Sequence, residues 1–399
     1  MPDSLVLHLQ NTSNDEVYAY VTGLDIKNNG ARVLIAADGH TLYHPVDPPA
    51  ILQPLKENVA IPLGRGGAIT KVTIPQIAGG RIWFSRGPKQ LVFLLNPSHN
   101  PVAGAALVEP SVLNPSDPNS SIDFSFCEFT LNGDQLFANI SYVDFVPRLP
   151  IALSLRRAGG AREVQHVSGM KAEGFATVCD ELRTQAKHDG RPWDKLIVMP
   201  HGAGAGATPL RVLNPTHGDA VGASFAGYYE GYVDQVWKHY TSGHQLTINT
   251  QSGSGIVYGK VVDGRLEFRR SDGGSPEAFD KPTTHDILGC NTGPFTTGSS
   301  PMRNAIIPRL AAGFQRSTLL TDSVQPAVEP RNFYHSDPTN HYSRIVHAAN
   351  VDGKGYTFAY DDVQPDGGAD QCGKANAGDP EMFVVSVGGY NVYAGDRMP

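Results

Sequence analysis

Charge is scarce in this sequence of 399 residues: 18% of the side chains are charged, and the formal net charge is −7 at pH 7. No run of basic residues offsets that balance, so no nucleic-acid partner is indicated. No apolar run reaches the 18 or more residues that a membrane-spanning helix needs, which excludes a membrane protein of that kind. Residues 1–15 are too polar for a signal peptide, so we expect an intracellular protein or one whose leader has been removed.

Motifs for metals, phosphates and nucleophiles are also missing. The four cysteines form no CxxC pair, which argues against a zinc knuckle but leaves one or two disulfides open. His335, His341 and His347 share a segment that has no HExxH pattern, and we interpret them as surface histidines. The glycine-rich residues 201–207 lack the Lys-Ser/Thr ending of a phosphate loop. We therefore expect neither a metal nor a cofactor.

Glycine and proline are abundant instead, with 43 and 30 residues. A turn-rich composition with little charge is typical of β proteins. Short apolar runs separated by Gly, Pro, Asn and Asp predict strands at 5–11, 17–26, 31–37, 41–45, 58–63, 68–74, 80–85 and 89–95. This pattern indicates a sandwich or barrel.

The hydrophobic period changes near residue 159. Apolar residues at three- and four-residue steps predict helices at 171–190, 219–243, 302–319 (interrupted at Pro308) and 339–349. Strands are predicted at 194–200, 247–250, 255–262, 265–270, 355–363 and 382–393, with a turn at Asp263-Gly264. Because the length favours two domains, we predict a β domain made of 1–165 and 330–399 and an inserted α/β domain at 166–329.

Residues 121–155 predict a β-hairpin with its turn at Asn132-Gly133, two residue types that tolerate positive φ. By the period-two rule, Phe124, Phe126, Glu128 and Thr130 share one face of the first strand. Ile140, Tyr142 and Asp144 share one face of the second strand. A tight register pairs residue 128 near residue 137 and not with residue 144, so the two carboxylates are offset along the sheet.

Glu128 stands where the alternation would place a third phenylalanine. One interpretation is a carboxyl whose pKa is raised by desolvation, which suits a general acid. The simpler interpretation is that Glu128 and Asp144 both lie on the solvent face of an antiparallel sheet. Asp361 and Asp362 leave a similar choice between a turn and a further acidic contribution to a groove.

Five segments then resemble, in order and spacing, the landmarks of thaumatin-like proteins: 80–87, 126–133, 139–150, 337–344 and 356–372. The chain is much longer than a plant thaumatin-like protein and has far fewer cysteines. With the segment SYVDFVPRLPIALSL at 141–155, it is instead identified as a member of glycoside hydrolase family 64, the β-1,3-glucanases that share the thaumatin-like barrel.

The resemblance implies a mainly β fold, in which a thaumatin-like barrel or sandwich and a mixed α/β domain flank a wide groove for a β-1,3-glucan chain. It implies Glu128 of the EFT motif as general acid and Asp144 of the VDF motif as general base of an inverting endo-glucanase. Inverting enzymes hold the two carboxyls roughly 6.5–9.5 Å apart, which the offset hairpin allows. Further substrate contacts are expected from Arg81, Thr130, Asn132, Phe137, Asn139, Ser141, Tyr142, Asp361 and Asp362.

Two of these positions bear on the acid. Arg81 matches the arginine of the thaumatin-like acidic cleft, where a nearby cation would lower the pKa of the glutamate and oppose desolvation. Asn139 stands where many plant relatives have a cleft aspartate. Phe137 and Tyr142 are equally well explained as core aromatics.

The leading hypothesis is a secreted, monomeric endo-β-1,3-glucanase that binds β-1,3-glucan or laminarioligosaccharides. Two sequons, at Asn11 and Asn119, lean towards secretion. One alternative is a thaumatin-like protein that binds the glucan without cutting it. The other is a structural cell-wall protein with no glycan ligand.

Overall fold

A computed structural model describes residues 3–98, 100, 104–158, 164–171, 173–202, 204, 206–327, 330–368 and 370–389. The protein is mainly β, with several sheets and few helices. This agrees with the mainly β fold predicted from the sequence. Among the described residues, no helix is long and apolar enough to cross a bilayer.

The strands occur in this order: β1 Ser4–Asn11, β2 Val17–Asp25, β3 Ala31–Ile35, β4 Leu42–Tyr43, β5 Gln53–Pro54, β6 Ile61–Leu63, β7 Ile69–Pro75, β8 Ile77–Arg86, β9 Leu94–Asn96, β10 Ala106–Val108, β11 Asp123–Leu131, β12 Leu136–Ile140, β13 Phe145–Pro147, β14 Ile151–Arg157, β15 Val164–Val167, β16 Ile197–Val198, β17 Arg211–Leu213, β18 Leu246–Asn249, β19 Ile256–Val262, β20 Arg265–Arg270, β21 Glu277–Phe279, β22 Val324–Gln325, β23 Lys374–Ala377 and β24 Pro380–Val387. The helices are α1 Gly174–Asp189, α2 Glu230–Thr241, α3 Thr284–Gly289, α4 Pro301–Gln315 and α5 His341–Ala349.

Two large sheets build the β part. One has the order β15-β14-β24-β1-β7, and the other has the order β23-β12-β11-β8-β2-β3-β4, with β6 beside β2. Alternate side chains of both sheets, among them Leu7, Leu153, Ile82 and Cys127, are buried in one apolar core. The opposite face of the larger sheet carries a second cluster of buried apolar residues, which includes Trp83, Phe124 and Phe126.

A further five-stranded sheet, β21-β20-β19-β18-β22, lies in the predicted α/β insertion. Strand β17 of that region pairs with β13, and β15 begins before the predicted boundary at residue 166. Apolar residues from the insertion and from the β sheets belong to the same core cluster. The domain division at 166–329 stays a prediction. The last two residues of that range, 328 and 329, lie outside the described residues.

The two predicted turns have different outcomes. Asp263 and Gly264 have φ values of 48° and 80°, as the turn between β19 and β20 was predicted to require. Asn132 instead accepts the backbone N–H groups of Asp134 and Gln135 through its side chain, at 2.9 Å each, and closes a longer loop. Its contribution is thus an Asx turn, which needs no positive φ.

Several predictions on elements were wrong. Segment 355–363 forms turns and one isolated bridge, not a strand. Pro308 does not interrupt α4, which is one continuous helix. The predicted helix 219–243 begins only at residue 230, after Gly222 and Gly227 adopt positive φ. The end of the last predicted strand, residues 390–393, lies outside the described residues.

Burial corrects three smaller expectations. All four cysteines are free and buried, which excludes the disulfides left open above. His341 and His347 are buried, and only His335 is a surface histidine as predicted. Asn11 and Asn119 are buried as well, so neither sequon supports secretion.

Candidate active site

A row of polar side chains crosses the second large sheet at one level. The strand register aligns Thr22, Arg81, Glu128, Asn139 and Lys374 on five adjacent strands, β2, β8, β11, β12 and β23. Because directly paired residues point to the same face, these side chains share the face opposite the main core. Residue 128 was predicted to pair near residue 137, and Glu128 pairs two residues further on, with Asn139, while Phe137 pairs with Thr130.

An aromatic cluster occupies the same face beside this row. The ring of Trp83 lies 4.8 Å from that of Phe126, which in turn lies 5.9 Å from the ring of Phe145. Phe124 completes the cluster, with its ring 5.5 Å from Phe145. The predicted common face of Phe124, Phe126 and Glu128 is therefore confirmed, with the phenylalanines buried and the glutamate at their border.

Arg81 connects the polar row to the aromatic cluster. Its guanidinium carbon lies 5.1 Å from the Phe126 ring centre and 5.5 Å from that of Trp83. Arg81 Nη2 donates to Glu128 Oε1 at 3.4 Å, so the sequence-predicted neighbourhood of these two residues is present. The Glu128 side chain keeps 37% of its exposure, which is far from the desolvated carboxyl that one interpretation assumed.

A second carboxylate, Glu109, also binds Arg81 and was missed by the sequence analysis. Arg81 Nη1 donates to Glu109 Oε2 at 2.7 Å, and Thr22 Oγ1 donates to Glu109 Oε1 at 2.8 Å. Trp83 Nε1 holds the threonine hydroxyl in place at 3.1 Å. Glu109 follows the short strand β10 in a proline-containing segment, and no periodicity or motif there could have identified it.

Asp144 lies after the end of β12 and directly before β13, where it is 47% exposed. Its Oδ1 pairs with His217 Nε2 at 3.2 Å, and its backbone carbonyl accepts the N–H of Asn214 at 2.9 Å. Both partners lie next to β17, which pairs with β13. His217 was also missed, since it comes from a short 3-10 helix, Pro215–Val221, that carries no motif.

Glu128 and Asp144 lie on different elements, each close in the chain to a member of the aromatic cluster. Glu128 follows Phe126 on the same face of β11, and Asp144 precedes Phe145. The predicted strand continuing through Tyr142 and Asp144 is wrong, because β12 ends at Ile140. One carboxyl contacts a cation and the other an imidazole, so the pair has the two different environments that acid–base chemistry requires.

The remaining predicted contact residues fall into two groups. Thr130, Asn132 and Phe137 are partly exposed, Asn139 is largely buried within the polar row, and Asp362 is exposed. Ser141 and Tyr142 are buried, and the Tyr142 hydroxyl donates to Asn350 Oδ1 at 3.0 Å. The alternative that Tyr142 is a core aromatic is the one that the structure supports.

Asp361 requires a correction as a substrate contact, because its side chain has no exposure. Its Oδ1 accepts from Arg316 Nη2 at 3.1 Å, and its Oδ2 pairs with His347 Nε2 at 2.9 Å. Thr357 donates to Oδ2 through both its N–H and its hydroxyl. Burial alone would raise the pKa of Asp361, but these partners outweigh it and lower the pKa. Asp361 is thus part of a buried network that stabilises the fold.

Within the described ranges, no group of three or more His, Cys, Asp or Glu side chains is arranged to hold a metal ion.

Comparison with known proteins adds the family. Residues 3–387 match the sequence profile described as Beta-1,3-glucanase, glycoside hydrolase family 64. A glucan endo-1,3-beta-glucosidase of Cellulosimicrobium cellulans is 31% identical over 294 residues, which is 73% of this chain and 50% of that protein. One from Arthrobacter sp. (strain YCWD3) is 30% identical over the same shares. The chain thus spans about half the length of these curated relatives.

A solved structure supports the same grouping. The crystal structure of a laminaripentaose-producing beta-1,3-glucanase in complex with laminaritetraose has a TM-score of 0.82 and 30% sequence identity, covering 97% of this chain and 99% of that chain. A beta-1,3-glucanase domain (GH64) from Clostridium beijerinckii has a TM-score of 0.71 at 22% identity, covering 96% of this chain and 98% of that chain, and shows the likeness of fold.

Proposed function

The chain belongs to glycoside hydrolase family 64, the β-1,3-glucanase family, and on that premise we propose that it is an endo-β-1,3-glucanase. Its substrate is linear β-1,3-glucan, and its products are short laminarioligosaccharides. The observation that carries the proposal is that two partly exposed carboxylates, Glu128 and Asp144, lie close in the chain to Phe126 and Phe145, whose rings are 5.9 Å apart. The related structure that holds laminaritetraose supports a glucan chain as the ligand.

The proposed mechanism uses the two carboxyls in different roles. Protonated Glu128 donates its proton to the glycosidic oxygen while the bond to the anomeric carbon breaks. Ionised Asp144 accepts a proton from a water molecule that attacks the opposite face of that carbon, which inverts its configuration. His217, at 3.2 Å from Asp144 Oδ1, fixes the direction of the carboxylate.

The aromatic and polar neighbours suit a sugar chain. Sugar rings present apolar faces and hydroxyl rims, so partly exposed Phe137 and Thr130 on the Glu128 face, with Asn132 in the adjoining loop, offer both kinds of contact. The thaumatin-like assignment of the two large sheets, with a wide groove along this face, is part of the same proposal. So are a monomeric state and an extracellular location, where glucan polymers are found.

The test is the release of oligosaccharides from linear β-1,3-glucan, with cellulose as the control polysaccharide. We expect the wild type to release short products from the first polymer only, and Glu128→Gln to lose at least about 100-fold in kcat. Asp134→Asn, an exposed acid in the hairpin loop, is the matched control and should keep wild-type turnover. Proton NMR of the first product gives the anomeric configuration.

The glucan-binding alternative has its own expected result. If the wild type is retained on insoluble β-1,3-glucan but releases no reducing ends at any pH, the protein is a binder and the catalytic proposal is wrong. Wild-type turnover by Glu128→Gln would leave the family intact and refute the assigned acid.

A further inference from the structure

One arginine at the site is shared unequally between two carboxylates. Arg81 Nη1 lies 2.7 Å from Glu109 Oε2, the usual length of a charge-assisted hydrogen bond, whereas Nη2 lies 3.4 Å from Glu128 Oε1, near the outer limit. Arg81 therefore pairs more strongly with Glu109 than with Glu128.

The unequal sharing is built into the surroundings of Glu109. Thr22 Oγ1 donates to the second oxygen of Glu109 at 2.8 Å, and the indole N–H of Trp83 orients that hydroxyl. Trp83 is 1% exposed, so this anchor cannot rotate freely. Glu109 is held on two sides, and it fixes Arg81 against the rings of Trp83 and Phe126.

Charge balance gives this arrangement a consequence for the reaction proposed above, on which the inference rests. A general acid must carry its proton before the reaction, but a cation that pairs fully with a carboxylate keeps it ionised. We propose that Glu109 is a positioning residue that neutralises Arg81, so that Glu128 retains its proton at the working pH. Arg81 then orients Glu128 without holding it in the ionised form.

The polar row holds one more charged side chain besides Arg81 and Glu128. Lys374 lies two strands away from Glu128, with Asn139 between them. Asp144 precedes Phe145 of the aromatic cluster in the chain and pairs with His217. Arg81 contacts both Glu109 and Glu128, and Glu109 is the one of these two carboxylates that is not the proposed acid, so its removal is the most specific perturbation of that charge balance.

The test compares Glu109→Gln with two controls. Glu181→Gln makes the same charge change at an exposed position of α1, and Glu109→Asp retains the charge. In Glu109→Gln we expect the basic limb of the pH profile of kcat to move down by about 0.5 to 1 pH unit, the order of magnitude for one charge on the far side of the Arg81 guanidinium at a partly exposed site. Above that limb kcat falls about 3- to 10-fold, while KM changes less than twofold. Glu181→Gln keeps the wild-type pH profile of kcat. The basic limb of Glu109→Asp lies between those of the wild type and Glu109→Gln.

A second readout does not depend on hydrolysis. The side-chain carboxyl carbon of Glu128, assigned by comparison with Glu128→Gln, is followed by NMR against pH in the folded variants. A titration midpoint that is displaced to lower pH in Glu109→Gln but not in Glu181→Gln supports the inference. An unchanged titration or an unchanged basic limb overturns it. A displaced titration in a protein that never cuts glucan would support the coupling to Glu109 and refute the proposed function instead.

Discussion

Replacing Asp361 by asparagine should unfold the protein more easily without altering glucan binding directly. The carboxylate is fully buried and pairs with Arg316, whose side chain is 3% exposed, and with His347. Asparagine has nearly the same shape, so the change removes charge and one acceptor but little packing. Arg316 keeps its bonds to the backbone carbonyls of Asp361 and Val363 and loses its anionic partner.

The expected loss is about 3–5 kcal/mol in the free energy of unfolding at pH 7, the range measured when one partner of a buried ion pair is removed. The amide NH2 also opposes the N–H and hydroxyl of Thr357, which donate to the carboxylate at 2.9 and 2.6 Å. The cost of that conflict is included in the same range and is not added to it, because the energies of contacts in one network are not additive. The loss is a large part of a typical total of about 5–15 kcal/mol.

The pH dependence follows from the lowered pKa of Asp361, whose ordinary value is 3.8. A depressed pKa stabilises the folded state above the ordinary value, and this contribution disappears as the pH falls through the native one. The wild type should therefore begin to lose its advantage over Asp361→Asn below a pH of about 3.8 and lose it fully only below the native pKa.

Urea unfolding at pH 7 and at pH 3, followed by tryptophan fluorescence, measures both effects. Asp362→Asn is the matched control, because this neighbouring aspartate is exposed and should change stability by less than about 1 kcal/mol. A raised KM for Asp361→Asn with an unchanged free energy of unfolding would refute this reasoning and support Asp361 as a substrate contact.

Two further predictions concern backbone space and a buried cation. Gly169 has φ +64°, and an added Cβ would lie 1.9 Å from the carbonyl oxygen of Ile151. Gly169→Ala should therefore lower the free energy of unfolding by more than about 3 kcal/mol. Gly190 has a similar φ but open space around it, so Gly190→Ala should lower the free energy of unfolding by only about 1 kcal/mol. If both variants unfold alike in urea, the close contact is not the cause. Burial lowers the pKa of Arg211 to about 10, yet its guanidinium donates to two backbone carbonyls and stacks on aromatic rings. Arg211→Lys should therefore lower the thermal unfolding midpoint through a loss of about 1–3 kcal/mol, and an unchanged midpoint would contradict this account.

Strand periodicity correctly predicted which side chains share one face of β11. The alternation in residues 121–131 placed Glu128 on the face of Phe124 and Phe126, and the ordered segments predicted the family. Both signals are contained in short stretches of chain, where side-chain direction follows from the strand itself. The pairing of Glu128 with Asn139 instead depended on the length of the loop, which the Asn132 side chain closes differently from the predicted turn.

The sequence by itself thus determined the mainly β fold, the family, and the identity of the two carboxylates proposed for catalysis. Only the tertiary structure brought Glu109 to Arg81 and His217 to Asp144, across 28 and 73 residues of chain. It also separated Asp361 from Asp362, which are adjacent and chemically identical, by burying one and exposing the other. The physical reason is that local patterns fix the direction of a side chain, whereas its partners and its burial depend on how distant segments pack.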